Sequence, residues 1–149
     1  MKTVIIFAVV IIIIVIFLRI GYLMSPRSYP ESENYIINTS QLSLLSKIDS
    51  LKSQNTRYNL SSLGNQYDSL KHSYNIYIYN YDRNQIIHIE TLSKDNNKSI
   101  IHLIGINQGL TLGNWKMVNK DLNSSESELV FKNFEKIILN HLGVRYKRE

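Results

Sequence analysis

The chain of 149 residues contains no cysteine. This absence excludes disulfide bonds, a thiol nucleophile, a cysteine-ligated zinc or iron–sulfur site and a lipid anchor on an N-terminal cysteine. Proline is also scarce, and both prolines lie between residues 26 and 30. No recognised nucleotide-binding, metal-binding or hydrolase motif occurs in the sequence. We therefore predict that the protein is not an enzyme and takes no cofactor or resident metal.

Charge of either sign is sparse. The chain has 17 Lys and Arg, 12 Asp and Glu, and a formal net charge of +5. Three of the cations, Arg145, Lys147 and Arg148, lie within the last five residues, so residues 144–149 are interpreted as a basic C-terminal tail. Nucleic-acid binding needs a stripe of Lys and Arg along one surface, and the sequence has none. We therefore expect no nucleic-acid partner.

The one long hydrophobic run is at the N-terminus. Residues 4–18 carry no polar side chain, but at about 1.5 Å per residue they are shorter than a hydrocarbon core of ~30 Å. Continuing past Arg19 to residue 24 gives a sufficient length, because arginine can extend its guanidinium to the lipid headgroups. The sequence thus predicts a transmembrane signal anchor at residues 1–24, which contacts the lipid bilayer through residues 4–24.

A cleaved signal peptide is the alternative interpretation of this segment. Cleavage prefers small residues at the −3 and −1 positions, and residues 18–25 offer no such pair, which favours an uncleaved anchor. Lys2 and the α-amine on one side balance Arg19 and Arg27 on the other, so the positive-inside rule does not decide the orientation. A short head before a long C-terminal region is the layout of a signal anchor. We therefore predict a single-pass cell-membrane protein with its domain on the extracytoplasmic side.

Residues 25–38 contain both prolines and few apolar side chains, which predicts an exposed stalk. The following region, 39–143, is predicted to be one α+β domain. After a candidate N-cap at Thr39 or Ser40, apolar residues recur at steps of three and four, the pattern of an amphipathic helix. A second short helix is suggested over residues 60–70.

The period of the apolar residues changes to two after residue 73. This pattern predicts strands over residues 74–81, 86–92 and 99–106, with polar turns between them and a short fourth strand over 114–118. A capping-box pattern beginning at Ser125 starts the last helix, and Gly143 stands where a helix ends. This order predicts an α+β fold with a three- to four-stranded antiparallel meander and helices packed on one face.

A two-residue turn at Arg83 and Asn84 would pair Tyr79 with His88. If the second turn keeps Ile101 and Leu103 on the aliphatic face, as burial requires, His88 lies opposite His102. One sheet face is then aliphatic and suited to cover by the helices, whereas the other is rich in tyrosine. Tyrosine combines a large contact area with a polar tip and is enriched at protein interfaces. The predicted partner-binding residues on that face are Tyr77, Tyr79, Tyr81, His88 and His102.

Two other interpretations of this face remain open. His88, His102 and Glu90 could supply three metal ligands, and the tyrosines could instead be covered by the protein's own loop at residues 107–115. The first functional hypothesis is a single-pass membrane-anchored accessory protein whose domain binds another protein. The alternatives are a membrane-tethered inhibitor or immunity-type protein that neutralises a toxin or enzyme, and a metal-dependent enzyme that uses the histidine pair.

Overall fold

The computed structural model describes residues 31–60 and 63–149, so the predicted anchor and residues 25–30 of the predicted stalk lie outside the described residues. The strands are β1 (Glu33–Ile37), β2 (Gln66–Asp68), β3 (Ser73–Asn80), β4 (Gln85–Asp95), β5 (Lys98–Gln108), β6 (Trp115–Met117) and β7 (Tyr146–Arg148). The helices are α1 (Gln41–Gln54), α2 (Ser124–Phe134) and α3 (Asn140–Leu142), with a π-helical turn at Glu135–Leu139 between the last two. Two 3-10 turns occupy Thr56–Tyr58 and Tyr81–Arg83.

The strands form one curled antiparallel sheet in the order β2-β3-β4-β5-β1-β7, and β6 pairs with β5 beyond the end of β1. The α+β class and the antiparallel arrangement are thereby confirmed. With seven strands, the sheet is larger than the predicted meander of three to four. The additional strands come from segments that the sequence assigned to a stalk, a short helix and a tail.

Strand β1 corrects the predicted stalk at residues 25–38. Glu33–Ile37 lie between β5 and β7, and Tyr35 and Ile37 are fully buried. The exposed-stalk prediction is therefore wrong for this segment. These few apolar residues reach the core because they pair with β5, which lies far along the chain. Local composition does not predict pairing between distant segments.

The predicted basic tail at residues 144–149 is also wrong over Tyr146–Arg148, which form β7 against β1. Arg148 makes ion pairs with Glu33, Glu128 and Glu135, at N–O distances of 3.7, 3.2 and 3.5 Å. These carboxylates come from β1 and from the helical segment that begins with α2. Arg148 therefore has specific ionic partners within the fold.

Helix α1 agrees with its sequence pattern. The Ser40 side chain accepts the N-terminal cap bond from the backbone N–H of Ser43, and Leu44, Leu45 and Ile48 face the core. The second helix expected over residues 60–70 does not form. The chain instead makes β2 at the edge of the sheet, next to β3.

The β3–β4 pairing preserves the predicted faces but not the predicted partners. Tyr77 lies opposite His88, and Ile78 lies opposite Ile87. The connection is not a two-residue turn, because a 3-10 turn at Tyr81–Arg83 precedes Asn84 in the left-handed conformation, with φ of 49°. The resulting displacement is two residues, and side chains alternate with a period of two, so each residue keeps its expected face.

The register of the β4–β5 pair separates the two histidines, and a β-bulge follows beyond Ile89. His88 lies opposite Gly105 and Glu90 lies opposite His102, with Ile104 as the additional residue of β5. The predicted pairing of His88 with His102 is therefore wrong. A Cβ atom on Gly105 would lie 2.6 Å from the backbone oxygen of Lys116, so the close approach of β6 requires glycine at this position.

The core lies between the sheet and both main helices. Its buried members from the strands include Tyr35, Ile37, Ile76, Ile78, Ile87, Ile89, Ile101 and Leu103, and those from the helical segments include Leu44, Ile48, Phe131, Phe134, Ile138 and Leu139. Helix α2 begins slightly earlier than predicted, because Asn123 and Glu126 form the capping box. Gly143, in the left-handed conformation, ends α3 as expected.

Candidate functional site

Three aromatic side chains contact one another on the sheet face opposite the helices. The rings of Tyr77 and His88 are stacked, with centroids 4.7 Å apart and an interplanar angle of 18°. The Trp115 ring lies 5.7 Å from His88 and 5.9 Å from Tyr77. We call Tyr77, His88 and Trp115 the aromatic cluster. The end of the 107–115 loop therefore covers part of this face and leaves Tyr77 and His88 half-buried.

His88 contributes to the cluster as a neutral ring. Its Nε2 donates a hydrogen bond to Oδ1 of Asn75, at 2.9 Å. Burial lowers the pKa of His88 to about 4, because the charged form would lose hydration. At neutral pH the ring is therefore an uncharged stacking surface.

Tyr79 and Tyr81 extend the aromatic surface toward the β3–β4 turn. The Tyr79 hydroxyl donates to Oδ1 of Asn84 at 2.7 Å, and its ring meets that of Tyr81 edge to face at 6.3 Å. The Tyr81 side chain is 61% exposed, and the guanidinium of Arg57 lies 5.5 Å from its ring centroid. These contacts fix the orientation of two tyrosine rings that solvent still reaches.

His102 belongs to a different part of the same face. It is only 9% exposed, and its Nδ1 donates to Oδ1 of Asn34 on β1. Opposite it on β4, the buried Glu90 accepts a 2.7 Å hydrogen bond from the Ser73 hydroxyl and lies 3.9 Å from the ammonium of Lys71. The structure thus divides the predicted site into an aromatic group at one end of the sheet and a buried polar group near β1.

The separation of His88 from His102 disfavours a metal site formed by these two residues and Glu90. Within the described residues, no group of three or more His, Asp or Glu side chains is arranged to hold a metal ion. The β4–β5 register places Glu90, and not His88, opposite His102, and the carboxylate of Glu90 is engaged by Ser73 and Lys71. The predicted set of His88, His102 and Glu90 therefore does not converge on one point.

Trp115 is the residue of this face that sequence reasoning placed in a covering loop and not in the site. Its ring reaches His88 because Gly105 has no side chain between them and because the bulge brings β6 against this part of β5. The feature of the sequence that could have indicated a role for Trp115 was a single tryptophan close to three glycines. Two isoleucines, Ile86 and Ile104, are also buried here, outside the main core.

Comparisons of the chain with models of protein families, with curated proteins and with solved structures find no match. Across residues 31–60 and 63–149, no helix is long and apolar enough to cross a bilayer.

Proposed function

We propose that the protein is a single-pass membrane-anchored accessory protein whose α+β domain binds another protein through the aromatic sheet face. Its contact residues would be Tyr77, Tyr79, Tyr81 and His88, with Trp115 at the border. The observation that carries this proposal is that the rings on this face are held in place by specific contacts without being fully buried. A sheet face that only contacts solvent usually carries polar or charged side chains, and this face carries aromatic ones.

Preorganised rings are well suited to binding. Tyr79 is held by Asn84, and His88 is held by Asn75, so little side-chain freedom remains to be lost when a partner packs on them. The neutral state of His88 adds no charge that a partner would have to desolvate. Aromatic side chains of this kind are frequent among the residues that contribute most to interface affinity.

The anchor part of the proposal rests on residues 4–24 and has its own test. The full-length protein should sediment with membranes, resist carbonate extraction and keep its N-terminal residues, as measured by intact mass. A mature form that begins between residues 21 and 28 and stays in the soluble fraction would instead identify the segment as a cleaved signal peptide.

The contact face can be tested with a matched pair of tyrosines. Tyr79 and Tyr67 each make one hydroxyl hydrogen bond and one ring contact, but Tyr67 lies on β2 at the sheet edge. A photoreactive amino acid at position 79 should crosslink one protein in native membranes, and the same group at position 67 should not.

Affinity for the crosslinked protein then decides the proposal. Tyr79→Ser should raise the dissociation constant about 30-fold, equivalent to ~2 kcal/mol, whereas Tyr67→Ser should change it less than about 3-fold. Thermal unfolding of both variants serves as the control for folding. Equal affinities of the two variants, with both folded, would remove the aromatic face as the contact surface.

A further inference from the structure

The loop that connects β5 to β6 presents aliphatic side chains to solvent. Leu110 is 59% exposed and Leu112 is 50% exposed, and Trp115 at the end of the loop is 38% exposed. The backbone N–H of Gly109 donates to the carbonyl oxygen of Asn84 at 2.7 Å, which joins the loop to the turn that carries Tyr81. We call the four exposed side chains Tyr81, Leu110, Leu112 and Trp115 the apolar rim.

The buried side chain of Asn107 holds the loop in this conformation. Asn107 is fully buried, and its side-chain amide donates to the carbonyl oxygens of Gly109 and Thr111, both at 3.0 Å. Its Oδ1 accepts a 2.8 Å hydrogen bond from the backbone N–H of Asn114. One buried side chain thus fixes both ends of the loop and leaves the two leucines outside, so their exposure is a built feature of the fold and not the consequence of a loose segment.

The charges around the apolar rim are mainly positive. Residues 96–120 contain no Asp or Glu, and Lys116 and Arg83 line one cleft of about 230 Å³ between this end of the sheet and α2. Glu126 also lines this cleft, but its carboxylate accepts the 2.9 Å cap bond from the backbone N–H of Asn123. The one acidic side chain of the 3-10 turn at the rim is Asp82.

The direction of the chain brings Glu31, the first described residue, to the same side. Strand β1 is antiparallel to β5, so the chain traced backwards from Glu33 runs toward the end of the sheet where β5 ends and the rim begins. Glu31 is fixed there, because its carbonyl oxygen accepts from the N–H of Asn119 and its carboxylate lies 3.2 Å from the ammonium of Lys120. The six residues at 25–30 span at most about 20 Å.

We propose that the apolar rim contacts the surface of the lipid bilayer. In this arrangement Leu110 and Leu112 enter the interface between headgroups and acyl chains, Trp115 lies at headgroup level, Tyr81 lies where the rim meets the partner-binding face, and Lys116 and Arg83 face anionic headgroups. Exposed aliphatic side chains flanked by aromatic rings and cations have the composition of interfacial contacts. The proposal rests on the membrane anchoring described under the proposed function.

Trp115 is the only tryptophan in the chain and therefore reports on this contact directly. The full-length protein would be reconstituted into vesicles of phosphatidylcholine with phosphatidylserine, with and without bromine on the acyl chains. We expect brominated lipid to quench Trp115 fluorescence at least 2-fold, and acrylamide in the water to quench it weakly. The double variant Leu110→Asp, Leu112→Asp should abolish most of the lipid quenching.

Leu70 provides the matched control, because it is 93% exposed in the β2–β3 connection, outside the rim. Leu70→Asp should leave the quenching of Trp115 unchanged. The proposal is overturned if Trp115 is reached by acrylamide and not by brominated lipid, or if the double aspartate variant is quenched as strongly as the parent. Loss of crosslinking to a partner protein in that variant, without lipid quenching in the parent, would assign the rim to a protein contact instead.

Vesicle flotation separates failure of this proposal from failure of the anchor. If the anchor is embedded but the rim does not touch lipid, the protein floats with the vesicles without quenching of Trp115. If the anchor itself fails, the double aspartate variant no longer floats. Circular dichroism of each variant confirms that the fold is retained.

Discussion

The two faces of the β3–β4 hairpin come from alternate residues of the same strands, yet they are built in different ways. On the helix side, Ile76, Ile78 and Ile89 are fully buried and make only apolar contacts in the core. On the other side, Tyr79 and His88 are half-exposed and are fixed by hydrogen bonds to neighbouring amides. Changes on the first face should therefore be measured as lost stability, and changes on the second as lost binding.

The largest effect is expected on the helix-covered face. Phe134 is fully buried, and its ring centroid lies 5.4 Å from that of Tyr35. Phe134→Ala should lower the free energy of unfolding by about 3 to 5 kcal/mol, through lost apolar burial and the cavity left behind. Urea denaturation measures this difference. A loss below about 1 kcal/mol would show that the last helical segment does not anchor this face of the sheet.

The β-bulge, where β6 approaches the aromatic face, should be the next most sensitive position. A methyl group on Gly105 would meet the backbone of Lys116 at 2.6 Å. Gly105→Ala should therefore cost about 3 kcal/mol, near the upper end of the usual range for overpacking, and should shift the emission of Trp115. Gly64→Ala is the control, because nothing lies within 4 Å of its added carbon. Equal stabilities of the two variants would contradict the close approach of β6.

The aromatic face should also make stability depend on pH. Burial lowers the pKa of His88 to about 4 in the folded protein, below an ordinary value of about 6.5 in the unfolded chain. As the pH falls below 6.5, the unfolded state takes up a proton that the folded state does not. The contribution is therefore complete above that pH and is lost progressively down to about 4. Between pH 7 and 5 the free energy of unfolding should fall by about 2 kcal/mol from this group.

Urea denaturation at pH 7, 6 and 5 checks this dependence. His88→Phe should remove most of the contribution, and His141→Phe, at an exposed position on α3, should leave it in place. His102 retains a smaller dependence of the same sign, because burial also lowers its pKa. A pH profile that is the same in His88→Phe and the parent would show that this ring is not desolvated.

The smallest effect on stability is expected where the effect on binding is largest. Tyr79→Ser removes one ring contact and one hydrogen bond on a half-exposed residue. The free energy of unfolding should fall by less than about 1 kcal/mol, measured by the same urea denaturation. If this variant instead unfolds the domain, the aromatic face belongs to the core and the contrast between the two faces disappears.

Sequence patterns predicted those parts of the fold that depend on local chemistry. The N-cap at Ser40, the alternation along β3 and β4 and the helix end at Gly143 each follow from a few neighbouring residues. The segments that were missed, β1 and β7, are short and become ordered by pairing with distant strands. Their few apolar residues carry no periodic signal that is long enough to recognise.

The candidate site was predicted in part for the same reason. The tyrosines and His88 share a face because alternation survives a two-residue error in register. The register of the β4–β5 hairpin was not visible in the sequence: Glu90 lies opposite His102, and a bulge at Ile104 then places Gly105 opposite His88, beside Trp115. The grouping of the site residues therefore depended on this register and this bulge, whereas the sheet face on which each residue lies did not.

The position of β1 also has a consequence for how the protein is made. Strand β1 is the first described strand to leave the ribosome, but its two neighbours in the sheet are β5 and the last strand, β7. Until Tyr146–Arg148 have been synthesised, one edge of β1 stays unpaired, and unpaired edges invite association with other chains. The sheet can be completed only after β7 has been translated, so a nascent chain stalled before β7 is the species that a chaperone would have to protect.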